Sequence, residues 1–112
     1  MIKPQELRIG NWLRIKESDT KVQVEVYMLN LSYLTGYQPI PLTPEILLKC
    51  EFVMHKDKGL WRKGNFYLHF YTLSENEYCF TFKDYKSASI LYLHQLQNIY
   101  WCLCGEELTI KL

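Results

Sequence analysis

Two short segments near the start of the chain alternate apolar and polar residues. This period of two is typical of half-buried β-strands. The first segment covers residues 12–15 and follows a Gly-Asn turn signal at positions 10–11. The second covers residues 22–26, where three valines alternate with polar residues. The polar residues 17–20 between them predict the connection of a bent hairpin.

A second pair of alternating segments lies in the middle of the chain. Residues 66–72 place three apolar side chains on one face, because alternate side chains of a strand point to opposite faces. Residues 78–82 repeat this pattern and predict the return strand. The polar residues 74–77 predict the turn between them, and residues 90–91 predict a last short strand.

Residues 44–50 are predicted to form a short helix. Thr43 is a favoured N-cap residue, and Pro44 suits the first helical position because its missing N–H would have no partner there. Glu45 adds an acidic side chain to the first turn, where it favours the helix dipole.

The segment 92–104 has the clearest helical pattern of the chain. At about 100° per residue, its apolar side chains fill one continuous arc, which should pack on the sheet. Gly105 follows at the position where a left-handed C-cap glycine is expected, and residues 108–110 alternate as a short closing strand. The apolar arc contains Tyr92, Leu93, Leu96, Ile99, Tyr100, Leu103 and Cys104.

The opposite, polar arc of this helix carries a tryptophan. A large aromatic side chain among polar groups is typical of an anchor for a protein partner, because it offers a large contact area at low entropy cost. We therefore predict a partner-binding surface there, and the alternative is that a neighbouring loop covers the indole. The predicted surface contains His94, Gln97, Asn98 and Trp101.

These elements predict the α+β class: a small bent antiparallel sheet with a C-terminal helix packed across it and a short helix after Pro44. The opening turn and hairpin are similar in pattern to the start of an SH3-like barrel. A chain of 112 residues with 48% hydrophobic residues fits one globular domain over residues 1–112. No apolar run approaches the length of a membrane span, and no signal peptide is expected at the start.

A basic stretch with an embedded tryptophan precedes the middle strands. Its cations could contact phosphates or an acidic partner, and Trp61 could stack on a base. The net charge of +1 favours the alternative, a solvated hairpin with Trp61 in the core. The residues concerned are Lys56, Lys58, Trp61, Arg62 and Lys63.

The titratable residues form no recognisable catalytic or metal-binding pattern. The four cysteines include no C-x-x-C pair, and the three histidines have no second ligand pair at zinc spacing. Cys50 and Cys79 are expected to be buried reduced thiols, and no phosphate loop or nucleophile motif is present. We expect no catalytic residue, no metal, no cofactor and no small-molecule substrate.

Three blocks of the chain resemble small phage and prophage proteins of Bacteroidota, most of which have no assigned activity. The blocks are ELRIGNW at residues 6–12, PIPLTPEILLKC at residues 39–50, and YLHQLQN at residues 92–98 with GEEL at residues 105–108. The resemblance implies a phage accessory protein that acts in the cytoplasm of a bacterial host. It brings no catalytic residues with it.

The setting that this resemblance implies suggests a specific function. Small phage proteins without enzymatic activity commonly bind host defence machinery, and Bacteroidota frequently carry type VI-B CRISPR systems with an RNA-guided RNase. We therefore expect a non-enzymatic anti-CRISPR protein that binds the effector RNase or its complex with guide RNA. The alternatives are an RNA-binding module that uses the Trp61 hairpin and a virion or replication accessory protein.

Overall fold

The computed structural model describes most of the chain, and the protein is an α+β protein, as predicted. Residues 2, 4–29, 34–54, 60–64, 66–74, 77–82 and 89–112 are described, with the backbone alone at 69–74, 77–82 and 89. Within them, strands form a three-stranded and a five-stranded antiparallel sheet. By their contacts, these residues fall into two compact units, and a single domain over residues 1–112 stays a prediction.

The strands are β1 (Trp12–Ile15), β2 (Lys21–Gln23), β3 (Tyr37–Pro39), β4 (Val53–Met54), β5 (Leu60–Lys63), β6 (Phe66–Ser74), β7 (Glu77–Phe82) and β8 (Ser89–Ile90). The α-helices are α1 (Pro44–Lys49) and α2 (Leu93–Cys104). Two short 3-10 helices cover Pro4–Glu6 and Val26–Met28. At 12 residues, α2 is far shorter than the roughly 20 residues that cross a bilayer, and none of the described helices could span a membrane.

The first unit contains the three-stranded sheet and α2. Its strand order is β2-β1-β3, and Leu13 of the central strand lies opposite Val22 and Pro39. Leu13 is fully buried in a cluster with Leu7, Val24 and other apolar side chains. Helix α2 packs against β1 in the same unit, which confirms the prediction of a C-terminal helix packed on a sheet.

The second predicted strand ends earlier than its pattern indicated. β2 stops at Gln23, and Val24 is buried as the pattern requires. Val26 instead begins a 3-10 helix and is 70% exposed. The alternation of valines is a local signal, and it carries no information about where the neighbouring strand ends.

The second unit contains α1 and the five-stranded sheet, in the strand order β4-β5-β6-β7-β8. The predicted hairpin is confirmed in β6 and β7, although its turn lies partly outside the described residues. The helix start is confirmed as well, because Thr43 Oγ1 accepts a hydrogen bond from Ile46 N at 3.3 Å. Leu47 and Phe52 are among the most deeply buried side chains of this unit.

Two features of the predicted sheet differ in the structure. The strands form two sheets where the pattern predicted one, and β3 is an edge strand of its sheet. Pro39 and Pro41 lack the N–H that a further strand would need, which explains why the sheet stops at β3. The predicted strand at 108–110 does not form, and among the described residues Lys111 N, just after this segment, donates to Lys49 O at 2.9 Å.

Candidate partner-binding site

Helix α2 positions the predicted surface and has well-defined ends. Tyr92 is its N-cap, with an extended backbone, and its N–H donates to Gln95 Oε1 at 3.1 Å. Leu93 N donates to Ile40 O at 2.9 Å, which joins the first turn to the backbone after β3. Gly105 ends the helix in the left-handed conformation at φ 69°, as predicted.

The buried face of α2 differs from the predicted apolar arc. Leu93, Leu96 and Tyr100 are buried as expected, but His94 and Gln97 of the polar arc are also buried, at 0% and 2% exposure. The prediction that these two side chains face solvent is wrong. The reason is that residues 6–12 cover them: the backbone of Gly10 and Trp12 pairs with Gln97, and the Glu6 carboxylate lies beside His94.

Gln97 completes the hydrogen bonds of the turn at Gly10. Its Oε1 accepts a hydrogen bond from Trp12 N at 2.8 Å, and its Nε2 donates to Gly10 O at 3.2 Å. The buried Gln97 amide therefore pairs with one backbone donor and one backbone acceptor. Burying such backbone groups without a hydrogen-bond partner would cost stability. Gln97 is a structural residue that joins α2 to the start of β1.

Asn98 extends this network to the surface. Its Oδ1 accepts from Asn11 Nδ2 at 2.9 Å and from Arg8 Nε at 3.0 Å, and its Nδ2 donates to Glu6 O at 2.9 Å. Asn11 is fully buried, and its Oδ1 accepts from Arg8 N at 2.6 Å. Asn98 is half-buried, so most of its polar atoms are already bonded within the protein.

His94 is fully buried beside the carboxylate of Glu6. Its Nε2 lies 3.3 Å from Glu6 Oε1, but neither ring nitrogen makes a hydrogen bond of good geometry within the described structure. The ring stacks on Tyr92, with centroids 5.9 Å apart and planes at 9°. Burial lowers the pKa of His94, and the nearby Glu6 carboxylate opposes this effect only in part.

Trp101 is the part of the predicted surface that is open to solvent. Its side chain is 43% exposed, so within the described residues no loop covers it. The Arg8 guanidinium lies over the indole at 5.3 Å from the ring centroid, a cation–π contact. Arg8 is held by Glu107, with Nη1 2.7 Å from Oε1. The contacts of Arg8 therefore fix the indole in an exposed position.

The residues that follow Trp101 are exposed too. Cys102, Leu103 and Cys104 complete the last turn of α2, and Leu103 is 56% exposed although the helical pattern placed it in the core. Nothing within the described chain covers this turn. We call Trp101 and the neighbouring Arg8 the Trp101 surface, because Leu103, two residues further along, lies on another side of the helix.

The structure describes only part of the basic stretch, and an RNA contact by its lysines and arginine stays a prediction. Trp61 is 3% exposed in the core of its unit, which confirms the alternative interpretation and prevents it from stacking on a base. Lys63 lies 3.6 Å from Glu51 and donates to Cys50 O at 3.3 Å, and Arg62 is half-buried beside it in β5. Lys56 and Lys58 lie outside the described residues.

The cysteines differ sharply in accessibility, and we expect different reactivity. Cys50 is fully buried, and burial raises the pKa of its thiol to about 12. Cys102 and Cys104 are exposed free thiols. Iodoacetamide at pH 8 should therefore label Cys102 and Cys104 in the native protein and Cys50 only in denaturant, as read by peptide mass spectrometry. Equal labelling of Cys50 in both states would contradict the buried placement.

The structure adds functional residues that the helical pattern could not indicate. Arg8 and Asn11 lie far from α2 in sequence, and each is linked to Asn98. They belong to the block at residues 6–12, which meets the block at residues 92–98 in this network. No signal within the helical pattern of α2 could have indicated this contact, because it joins segments that are far apart in the sequence.

Comparisons with protein-family models, with curated proteins and with solved structures find no match to this chain. Among the described residues, no group of three or more His, Cys, Asp or Glu side chains is placed to hold a metal ion.

Proposed function

We propose that this protein is a phage-encoded binding protein that inhibits host defence machinery. In its specific form, the proposal is an anti-CRISPR protein that binds the RNA-guided RNase of a type VI-B system, or its complex with guide RNA, in the cytoplasm of the bacterial host. The sequence resemblance supports the phage setting. The exposed Trp101 surface supports a binding mode through a protein contact.

The observation that carries the proposal is the exposed indole of Trp101. An indole that stays open to water beside an arginine, with no described residue over it, offers a partner a large apolar contact area at low entropy cost. Tryptophan and arginine are also the side chains most often found at the energetic centre of protein interfaces. Trp101 and Arg8 lie together here, with the indole at 43% exposure.

The arrangement of contacts separates binding from folding. Gln97 and Asn98 bond to the segment before β1, whereas Trp101 contacts that segment through the Arg8 guanidinium. Removing the indole should therefore leave α2 docked. The partner-binding set is accordingly narrower than the sequence predicted: it is Trp101 bordered by Arg8, because both polar side-chain atoms of Asn98 are bonded within the protein.

The test uses the full chain with the Trp101→Ala substitution. We expect it to weaken binding to a type VI-B effector by about 30-fold or more, the loss typical of an interface hot spot, and to relieve inhibition of target-RNA cleavage. The measurements are surface plasmon resonance on the effector, with and without guide RNA, and a fluorescent RNA cleavage assay. The matched control is Leu48→Ala, which removes another exposed apolar side chain, 60% exposed, from α1.

Two results would contradict different parts of the proposal. If Trp101→Ala binds as tightly as the unchanged protein, the Trp101 surface is not the interface. If the unchanged protein neither binds the effector nor reduces its cleavage rate, the anti-CRISPR function is wrong, whatever the variant does.

The exposed apolar turn also fits a second function, a virion or replication accessory protein that self-associates through the same surface. Sedimentation velocity over a wide range of protein concentrations distinguishes the two. A concentration-dependent oligomer that Trp101→Ala abolishes would favour the accessory protein, and a monomer at all concentrations would oppose it.

A further inference from the structure

A groove runs along the free edge of β3, within the first unit. Its volume is about 640 Å³, which lies in the range of pockets that bind nucleotide-sized ligands. It is lined by Arg14 from β1, by Lys16 in the turn directly after β1 and by Gln38 from β3. Tyr37 and Tyr92 are the aromatic residues that line it.

The charge of this groove favours an anionic ligand. Among the described residues that line it, two are cations and none is a carboxylate. Lys16 is exposed, and Arg14 is half-buried with its Nη1 3.2 Å from Asp19 Oδ1 in the turn after β1. A guanidinium has five N–H donors, so the contact with Asp19 leaves others for a ligand. Asp19 offsets part of the positive charge, which keeps the expected affinity modest.

Two tyrosine side chains in the groove offer flat surfaces on which a nucleobase can stack. Tyr92 is half-exposed, and its stacking on the buried His94 holds the ring in place. Tyr37 is also half-exposed and packs against the apolar cluster of the first unit. Bases stack on such rings without strong sequence preference, and cations beside them bind the phosphates. The Gln38 amide offers both a donor and an acceptor to a base edge.

We propose that this groove binds a nucleotide unit, either free or as part of a single-stranded nucleic acid. Arg14 and Lys16 bind its phosphate, Tyr37 and Tyr92 contact its base, and Gln38 bonds to the base edge. An extended peptide fits less well, because Pro39 and Pro41 at this edge lack the N–H groups that strand pairing needs. The site is separate from the Trp101 surface and does not depend on the proposed function.

The test is fluorescence anisotropy with a labelled eight-residue RNA and the purified full chain. With two phosphate contacts, raising the salt from 50 to 200 mM should weaken binding by about sevenfold. The double variant Arg14→Gln/Lys16→Gln should bind at least about tenfold more weakly and lose most of this salt dependence. The control variant Lys49→Gln/Lys111→Gln removes the same charge from exposed positions of the second unit and should bind as the unchanged protein does.

Further variants keep the test independent of folding. The single change Lys16→Gln lies at an exposed position and should still weaken binding several-fold. Tyr92→Leu should weaken binding about fivefold or more, and Tyr92→Phe should retain it, because stacking needs the ring and not the hydroxyl.

Unlabelled AMP and an eight-residue DNA distinguish the sources of the nucleotide. Displacement by AMP supports a free nucleotide as ligand, and displacement by the oligonucleotides alone supports a single-stranded chain. The proposal is overturned if the labelled RNA does not bind at 50 mM salt and AMP does not bind by calorimetry. It is also overturned if Arg14→Gln/Lys16→Gln binds as tightly as the control variant.

Discussion

Gln97→Ala is expected to lower the free energy of unfolding by about 2–4 kcal/mol. The substitution leaves Trp12 N without its acceptor at a site where the side chain is 2% exposed, and it removes one of the two donors to Gly10 O, the other being Gln23 Nε2. An unsatisfied buried polar group costs about 1–3 kcal/mol, and the space left by the side chain adds to this. The effect should be among the largest for any polar residue of α2.

Urea unfolding followed by tryptophan fluorescence and by circular dichroism measures this change. The control is Cys102→Ala on the same helix, where an exposed small side chain is replaced and a change within about 0.5 kcal/mol is expected. If the two variants unfold at the same urea concentration, Gln97 does not hold α2 to the turn at Gly10. A change in slope without a change in midpoint would point to the unfolded state instead.

Local patterns predicted the elements of this fold well. The cap at Thr43, the C-cap at Gly105 and the alternation in β6 and β7 are each encoded within a few residues. The elements that were missed depend on distant neighbours. The strand predicted at 108–110 has no described strand beside it to pair with, and no property of its own sequence could have shown this.

The candidate site was predicted only in part, for a related reason. A helical wheel assigns polar residues to water, but α2 lies against a turn whose backbone groups need polar partners. His94 and Gln97 are therefore inside, and Leu103 is outside. Trp101 was predicted as a surface residue from its polar neighbours, and it is on the surface because the last turn of the helix has no described residue over it.

The contacts of α2 divide its residues between two tasks. The first half of the helix is bound to residues 6–12: Gln97 and Asn98 make hydrogen bonds to them, and His94 lies beside Glu6. The end of the helix carries the exposed apolar side chains. A loss of binding without a loss of stability is therefore expected only for changes at the end, which makes Trp101→Ala a cleaner probe of function than any change at Gln97.

Protonation of His94 is expected to destabilise the folded protein as the pH falls below about 6.5, the ordinary pKa of histidine. Burial lowers the pKa of His94 in the folded state, and Glu6 opposes this only in part. Between the lowered pKa and about 6.5, the unfolded chain binds more protons than the folded one, so stability rises with pH across this window. The stability that neutral His94 contributes is fully present above this pH window and is lost towards the lower end of the window.

The measurement is the free energy of unfolding in urea at intervals from pH 7.5 to pH 5.0, for the unchanged protein and for His94→Phe. Phenylalanine keeps an aromatic ring beside Tyr92 and has no nitrogen to protonate or to leave without a hydrogen bond, so its curve should be flatter over this range. Contributions from the rest of the chain are common to both proteins and cancel in the difference. Parallel curves would mean that His94 takes up its proton equally well in the folded and unfolded chains, and that Glu6 at 3.3 Å compensates burial completely.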